Sequence, residues 1–382
     1  ERRFSMHRRT SRTSVISGFF RRADLFLLTV CTLLTLFGIV AIASVTDGSA
    51  KNIIVQTVSM FIGIAAFVVF TVIDPDLIAD KWVYLAAFSA VFIIGLLFFG
   101  QGDSLGNKAW YRFMGIGVQP SEIVKVIFIV LLAKQLSYYK ERRELDKPKT
   151  IALLIGNWLF FFGLIFVVTS DLGSALIYMA IFIVIMVAGG VAWYWLGAGA
   201  ALGAAMIPLA WKFVLHEYQR NRILAPYDMS IDPNSETIRW QTTRTMNAMK
   251  SGRWSGVGLG NGRLNIEAKH TDCIFASIGE EMGMIACLLV LLVLIIIIVR
   301  CCVIGLRSGS TFGMLICFGV AASMTFQTFI NIGMCMGISP VIGITLPFVS
   351  YGGSSIVAMF ASVGLVSGVK YRPKPVRHQI AL

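Results

Sequence analysis

Ten apolar runs, each close to the length that crosses a bilayer, divide this chain: about 24–44, 52–72, 82–99, 119–137, 151–169, 173–189, 192–213, 273–299, 311–335 and 353–369. A helix rises 1.5 Å per residue, so about 20 apolar residues cover the ~30 Å hydrocarbon layer. An unpaired backbone N–H or C=O in hydrocarbon costs several kcal/mol, which forces such runs into helices. The spacing predicts an all-α integral membrane protein with about ten transmembrane helices. One long segment, about 214–272, separates the seventh run from the eighth.

Composition agrees. The 382 residues are 57% hydrophobic and 14% charged, against about 25% charged in a soluble domain. Such a chain is neither disordered nor a small disulfide scaffold. The seven cysteines lie mostly inside apolar runs and form no CxxC pair, which marks them as small buried hydrophobes rather than a disulfide framework or zinc site. Ala41-Ile42-Ala43 resembles a signal cleavage site, but the run before it is long for a signal peptide and reads as an uncleaved first span.

The net charge of +13 comes from 33 Lys+Arg against 20 Asp+Glu. Because the basic residues sit between apolar runs, they describe topology and not a nucleic-acid partner. With the N-terminal side taken as inner, the inner segments hold 19 Lys and Arg residues, and the short outer loops hold only Lys51, Lys108 and Arg112. The expectation is a multi-pass membrane protein with both termini in the cytoplasm. Residues 1–23 form a basic arm, 24–370 the membrane domain and 371–382 a cytoplasmic tail; there is no clear internal repeat.

Several polar residues stand where apolar ones are expected. Asp272 is the last polar residue before the eighth run. Near hydrocarbon its carboxylate loses water and becomes a stronger base; an Asp at such a position more often caps the helix that follows. Glu280 and Glu281 lie within the same run, roughly 12 Å deeper than Asp272 at 1.5 Å per residue. Carboxylates at that depth point to function, to a protonated group or to a partner such as Lys125. Glu122 and Lys125 open the fourth run at i,i+3 and can pair; Lys125 is alternatively held to meet an anionic headgroup. Trp110 and Tyr111 suit an aromatic belt or a platform for a sugar face. Arg220 and Arg222 in the long segment can grip phosphate. The Gly256-Val257-Gly258-Leu259-Gly260 stretch lacks the strand–helix setting of a nucleotide site. Gln327 and Asn331 share one face of the ninth run, as interhelical hydrogen bonding would use them. The Gly- and Pro-rich stretch 337–355 reads as a re-entrant segment buried in protein.

Together, QPSEIVK at 119–125, SDLGSAL at 170–176, YQRNRI at 218–223, KHTDCIFASIGEE at 269–281, QTFINIGM at 327–334 and LPFVSYGGSS at 346–355 resemble the SEDS family of bacterial cell-wall synthesis, the FtsW, RodA and SpoVE proteins. The resemblance covers nearly the whole chain after the N-terminal arm. It implies a SEDS-type fold and a peptidoglycan glycosyltransferase that polymerises lipid II, in elongation or in division. It also implies a class B penicillin-binding protein as partner. The family's essential acid maps to Asp272, its loop tryptophan to Trp110, its fourth-span lysine to Lys125, its SDLG acid to Asp171 and its GEE acid to Glu280 or Glu281. Ser350 and Tyr351 lie in its PFVSYGGSS block. This chain departs from the pattern at Cys273, where an aromatic is usual. It also lacks the Pro-Glu before the histidine, and has Ala109 before the tryptophan.

The implied chemistry has Asp272 as general base on an acceptor lipid II. The donor is a lipid-linked glycan whose undecaprenyl diphosphate leaves. Lys125, Arg220 and Arg222 are the cations available to that diphosphate, and Mg²⁺ or Mn²⁺ can assist. Two other readings fit the same residues: a lipid II flippase using Lys125, Glu280 and Asp171 along a pathway, and a non-catalytic scaffold for the penicillin-binding protein.

Overall fold

The computed structural model describes residues 23–101, 109–113, 116–213, 215, 217–232, 239–263, 265 and 267–371. Lys108, most of the N-terminal arm and nearly all of the C-terminal tail lie outside the described residues. The helices that matter are α1 (Leu25–Val45), α2 (Ala50–Val72), α3 (Trp82–Ile94), α4 (Pro120–Glu141), α5 (Pro148–Thr169), α6 (Leu172–Gly189), α7 (Trp193–Phe213), α8 (Trp240–Gly252), α9 (Ile274–Glu281), α10 (Gly283–Arg307), α11 (Thr311–Cys335) and α12 (Gly353–Tyr371). Among the described residues the only sheet is a two-stranded antiparallel hairpin, β1 (Tyr111–Phe113) with β2 (Ile116–Val118).

Nine helices among the described residues are long and apolar enough to cross a membrane, which bears out a multi-pass all-α membrane protein. The expected tenth, α4, is 22 residues long but carries Glu122, Lys125 and Lys134. Its charges are tolerable because they meet protein rather than lipid: α4 packs against α6, α11 and α12. Lys134 reaches Asp76 at 2.8 Å and Asp80 at 3.3 Å near the chain reversal between α2 and α3.

Close helix contacts use small residues, as expected where lipid supplies no hydrophobic drive. On α12, a Cβ at Gly364 would stand 2.7 Å from the Phe67 carbonyl oxygen of α2, so the two backbones touch there. One end of the bundle is fastened by charge. Asp24 is fully buried and caps α1 by accepting from the Leu27 N–H at 3.0 Å. Its other oxygen accepts from Arg300 of α10 at 2.7 Å and Lys370 of α12 at 2.9 Å.

The run at 273–299 departs from expectation. It is two helices, α9 and α10, joined at Gly283 with φ +81°. The loop backbone at Trp254 and Gly256 occupies the space where a Cβ on Gly283 would go. Only glycine accepts both constraints at low cost. Glu280 and Glu281 are the last residues of α9, just before that bend. They sit at the bend beside Ser44, near the end of α1, where Glu281 accepts the Ser44 hydroxyl. The Glu280 carboxylate accepts the Arg263 N–H at 2.8 Å, and the two backbone carbonyls accept from Val257 at 2.9 Å and Gly258 at 3.0 Å. These glutamates strap down the Gly-rich loop; Lys125 has a different partner.

Candidate functional site

The Asp272 turn follows a short 3-10 turn, Glu267–His270, and precedes α9. Cys273, not Asp272, is the N-cap of α9, and its side chain makes no capping bond. The helix-cap alternative for Asp272 is thus removed. The turn is held from outside by the stretch 337–352. Ser350 Oγ donates to the Thr271 carbonyl at 2.7 Å and accepts from the Leu346 N–H at 2.8 Å. The Tyr351 N–H donates to the His270 carbonyl at 2.9 Å, and the two rings are 5.4 Å apart. Asn331, on α11, donates to the Asp272 carbonyl at 2.8 Å and to the Ile344 carbonyl at 2.6 Å.

Asp272 is half-buried. Burial pushes its carboxyl up to about 6; the negative charge of Asp171 adds to this and the Arg222 guanidinium opposes it. Among the described residues no side chain donates a hydrogen bond to that carboxylate. Gly343 closes one side: it has φ +76°, and a Cβ there would stand 3.3 Å from Asp272 Oδ2. What results is a carboxylate with an unspent acceptor, poised to take a proton near neutral pH.

Asp171 caps α6. It accepts the Ser174 N–H at 2.9 Å, the Ser174 hydroxyl at 2.6 Å and the Gln119 amide at 3.2 Å. Arg222, on the short helix Glu217–Leu224, is half-buried and near enough for its charge to act on Asp272. Arg220 is engaged elsewhere, donating to the backbone carbonyls of Leu215 and Lys212 at 2.9 Å each. Lys125 is buried, with its ammonium 2.8 Å from Glu122. Glu122 also accepts from Gln327 and Ser355 at 3.4 Å. Trp110 is half-buried beside the hairpin; a Cβ on Gly117 would stand 3.0 Å from its indole ring. The structure thus brings Asp272, Asp171, Arg222, Ser350 and Tyr351 to one region, buries Lys125 on its ion pair, and gathers Glu280 and Glu281 on the strap.

Gly343 and Asn331 both adjoin Asp272, and the sequence reading missed the first and gave the second only to interhelical bonding. Gly343 carries no side-chain signal. Asn331 was visible, but its partners are backbone carbonyls, which leave no complementary residue in the sequence. Among the described residues no group of three or more His, Cys, Asp or Glu side chains is arranged to hold a metal ion. Among these residues the donor set does not fit an all-protein cage for Mg²⁺ or Mn²⁺.

A family model described as a cell cycle protein and named for FtsW, RodA and SpoVE matches residues 22–374. The chain belongs to the FtsW/RodA/SpoVE family. Its relatives in this family include the peptidoglycan glycosyltransferase MrdB of Escherichia coli (strain K12). That protein is 29% identical over 317 residues, covering 80% of this chain and 82% of the relative. An FtsW sequence of Borreliella burgdorferi is 30% identical over 319 residues, covering 81% of this chain and 84% of its own. Among solved structures, a chain of a peptidoglycan synthase complex that coordinates polymerisation and crosslinking superposes with TM-score 0.77. It is 25% identical, with 91% of this chain and 97% of that one covered. RodA of Thermus thermophilus shares the fold at TM-score 0.68 and 23% identity, with 91% of this chain and 96% of that one covered.

Proposed function

We propose that this chain polymerises lipid II into glycan strands at the outer face of the bacterial cytoplasmic membrane, with Asp272 as general base. Its family, whose curated members are named peptidoglycan glycosyltransferases, makes it an enzyme of that kind. The observation that carries the finer reading is the Asp272 carboxylate: half-buried, without a side-chain donor, and pushed up to about 6.

The acceptor is lipid II and the donor a lipid-linked glycan. Asp272 takes the proton of the acceptor GlcNAc 4-hydroxyl. The oxygen attacks the MurNAc anomeric carbon, and the bond to undecaprenyl diphosphate breaks with inversion. The leaving group is already an anion of low basicity, so no second carboxylic acid has to protonate it, unlike the paired carboxylates of glycoside hydrolysis. Arg222 is the basic residue closest in action to Asp272 and stabilises the departing charge. A class B penicillin-binding protein cross-links the product, and both chain termini are cytoplasmic in this arrangement.

The flippase reading draws support from one feature. Two polar clusters lie at the start of α4: Asp171 with Gln119, Ser174 and Ser121, and Glu122 with Ser355 and Lys125. One assay separates the readings. The full chain is purified with its penicillin-binding partner, the partner's transpeptidase site inactivated, and given labelled lipid II. Glycan ladders on a gel are expected. A folded complex that makes none while moving lipid II across vesicles overturns the proposal in favour of the flippase, and one that does neither leaves the scaffold. A chelator arm reads whether Mg²⁺ or Mn²⁺ shields the diphosphate.

Gly343→Val gives a sharper expectation within the same assay. The left-handed φ of +76° is unfavourable for a side chain, which itself would press on Asp272 Oδ2. Strain of roughly 1–2 kcal/mol is tolerable to the fold, so a folded protein with initial rates reduced ~100-fold is expected. Wild-type rates from Gly343→Val would show that this wall does not border the reacting atoms.

A further inference from the structure

We propose that Asn331 is a positioning residue for Asp272, fixing with one side-chain nitrogen both the turn that carries the carboxylate and the segment that walls it. The inference rests on the reading of Asp272 as base. Asn331 Nδ2 spends one hydrogen on the Asp272 carbonyl at 2.8 Å and the other on the Ile344 carbonyl at 2.6 Å. Both partners only accept, so the amide has one workable orientation. Asn331 has no exposed surface, and its Oδ1 is buried with no hydrogen-bond partner among the described residues. An apolar contact would avoid leaving that oxygen bare, which costs about 1–3 kcal/mol. The geometry therefore favours the two donated bonds over simple helix packing.

Ile344 follows Gly343, whose α-carbon faces the Asp272 carboxylate. One amide thus sets how far the wall stands from the base. Ser350 and Tyr351 bond the residues just before Asp272, at Thr271 and His270. Asn331 bonds the Asp272 carbonyl itself, with the Cys335 thiol a weak second donor at 4.0 Å. The charged groups acting on Asp272 are Asp171 at the start of α6 and Arg222 on the short helix; neither changes in the variants below.

The test measures initial rates against lipid II concentration and pH, on the full chain with its inactivated partner. Asn331→Asp keeps the shape, removes both donors and adds a negative charge. The expected result is kcat lower by roughly 10–100-fold, KM unchanged, and the acidic inflection moved upward from about 6. Asn331→Gln keeps the donors but displaces them by a methylene, so a smaller loss of kcat with the inflection unmoved is expected. Thr328→Val, which removes a buried hydroxyl on α11 that has no partner among the described residues, leaves rate and inflection unchanged. A folded Asn331→Asp with wild-type kcat and inflection overturns the proposal. If Asn331→Asp does not accumulate folded, wild-type kcat in Asn331→Gln overturns it instead. Failure here is distinct from failure of the base assignment, which would show as an active Asp272→Asn.

Discussion

Asp272→Asn is expected to reduce lipid II polymerisation by roughly 10²–10⁴-fold, the range for removal of a general base. The substitution keeps the volume of the side chain and the backbone bond from Asn331. It removes the carboxylate proposed to take the acceptor proton. Folding should not suffer, because no side chain among the described residues donates a hydrogen bond to the carboxylate. The sign of the titration points the same way. A carboxyl raised from 3.8 to about 6 by burial is less at ease ionised in the fold than in the unfolded chain. At neutral pH the neutral amide relieves that penalty, so the inactive variant should melt at the same temperature or higher. Stability given up at a working group is a common pattern. Asp272→Glu should recover little, since an added methylene moves the base by more than an ångström against a wall at Gly343.

The second large effect concerns the other end of the bundle. Asp24→Leu is expected to destabilise the fold by on the order of 3 kcal/mol. Asp24 is the shared acceptor for Arg300 and Lys370, and it caps α1 through the Leu27 N–H. Without it, two cations are left together and three helices lose their common tie. Burial raises the Asp24 pKa, but the hydrogen bonds from Leu27, Lys370 and Arg300 outweigh it and hold the carboxyl below its ordinary value. Its stabilisation is present above the usual carboxylate range and is lost as pH falls through the lowered pKa. Thermal melts of the purified protein check both points: a lower midpoint for Asp24→Leu at pH 7, and a gap from wild type that narrows in acid. An unchanged midpoint at pH 7 would mean that helix packing alone fastens this end.

Much of this architecture was legible in the chain because hydrocarbon leaves a run of 20 apolar residues few choices. The start of α4 at Pro120 was readable from a ring that suits the first turn, whereas the capping carboxylates of Asp24 and Asp171 came only with the fold. The break at Gly283 was not. A glycine inside an apolar run is compatible with a continuous helix, and what turns the chain there is the Trp254 loop, packed against it from about 30 residues away. Asp272 was legible as a candidate from its place before an apolar run, although local sequence favoured a helix cap. Its environment was not legible, because Gly343 and Asn331 act through a missing side chain and through backbone carbonyls. Lys125 shows a third kind of limit: its partner Glu122 was readable at i,i+3, whereas its burial under Gln327 and Ser355 depends on α11 and α12.

The pH dependence of the initial rate, at saturating lipid II with the inactivated partner, bears most directly on Asp272 as the base. The expected profile rises about tenfold per pH unit in acid and levels off above an inflection near 6, with the slope absent from the residual activity of Asp272→Asn. A rate independent of pH between about 4.5 and 8, or the same inflection surviving in Asp272→Asn, would contradict the assignment.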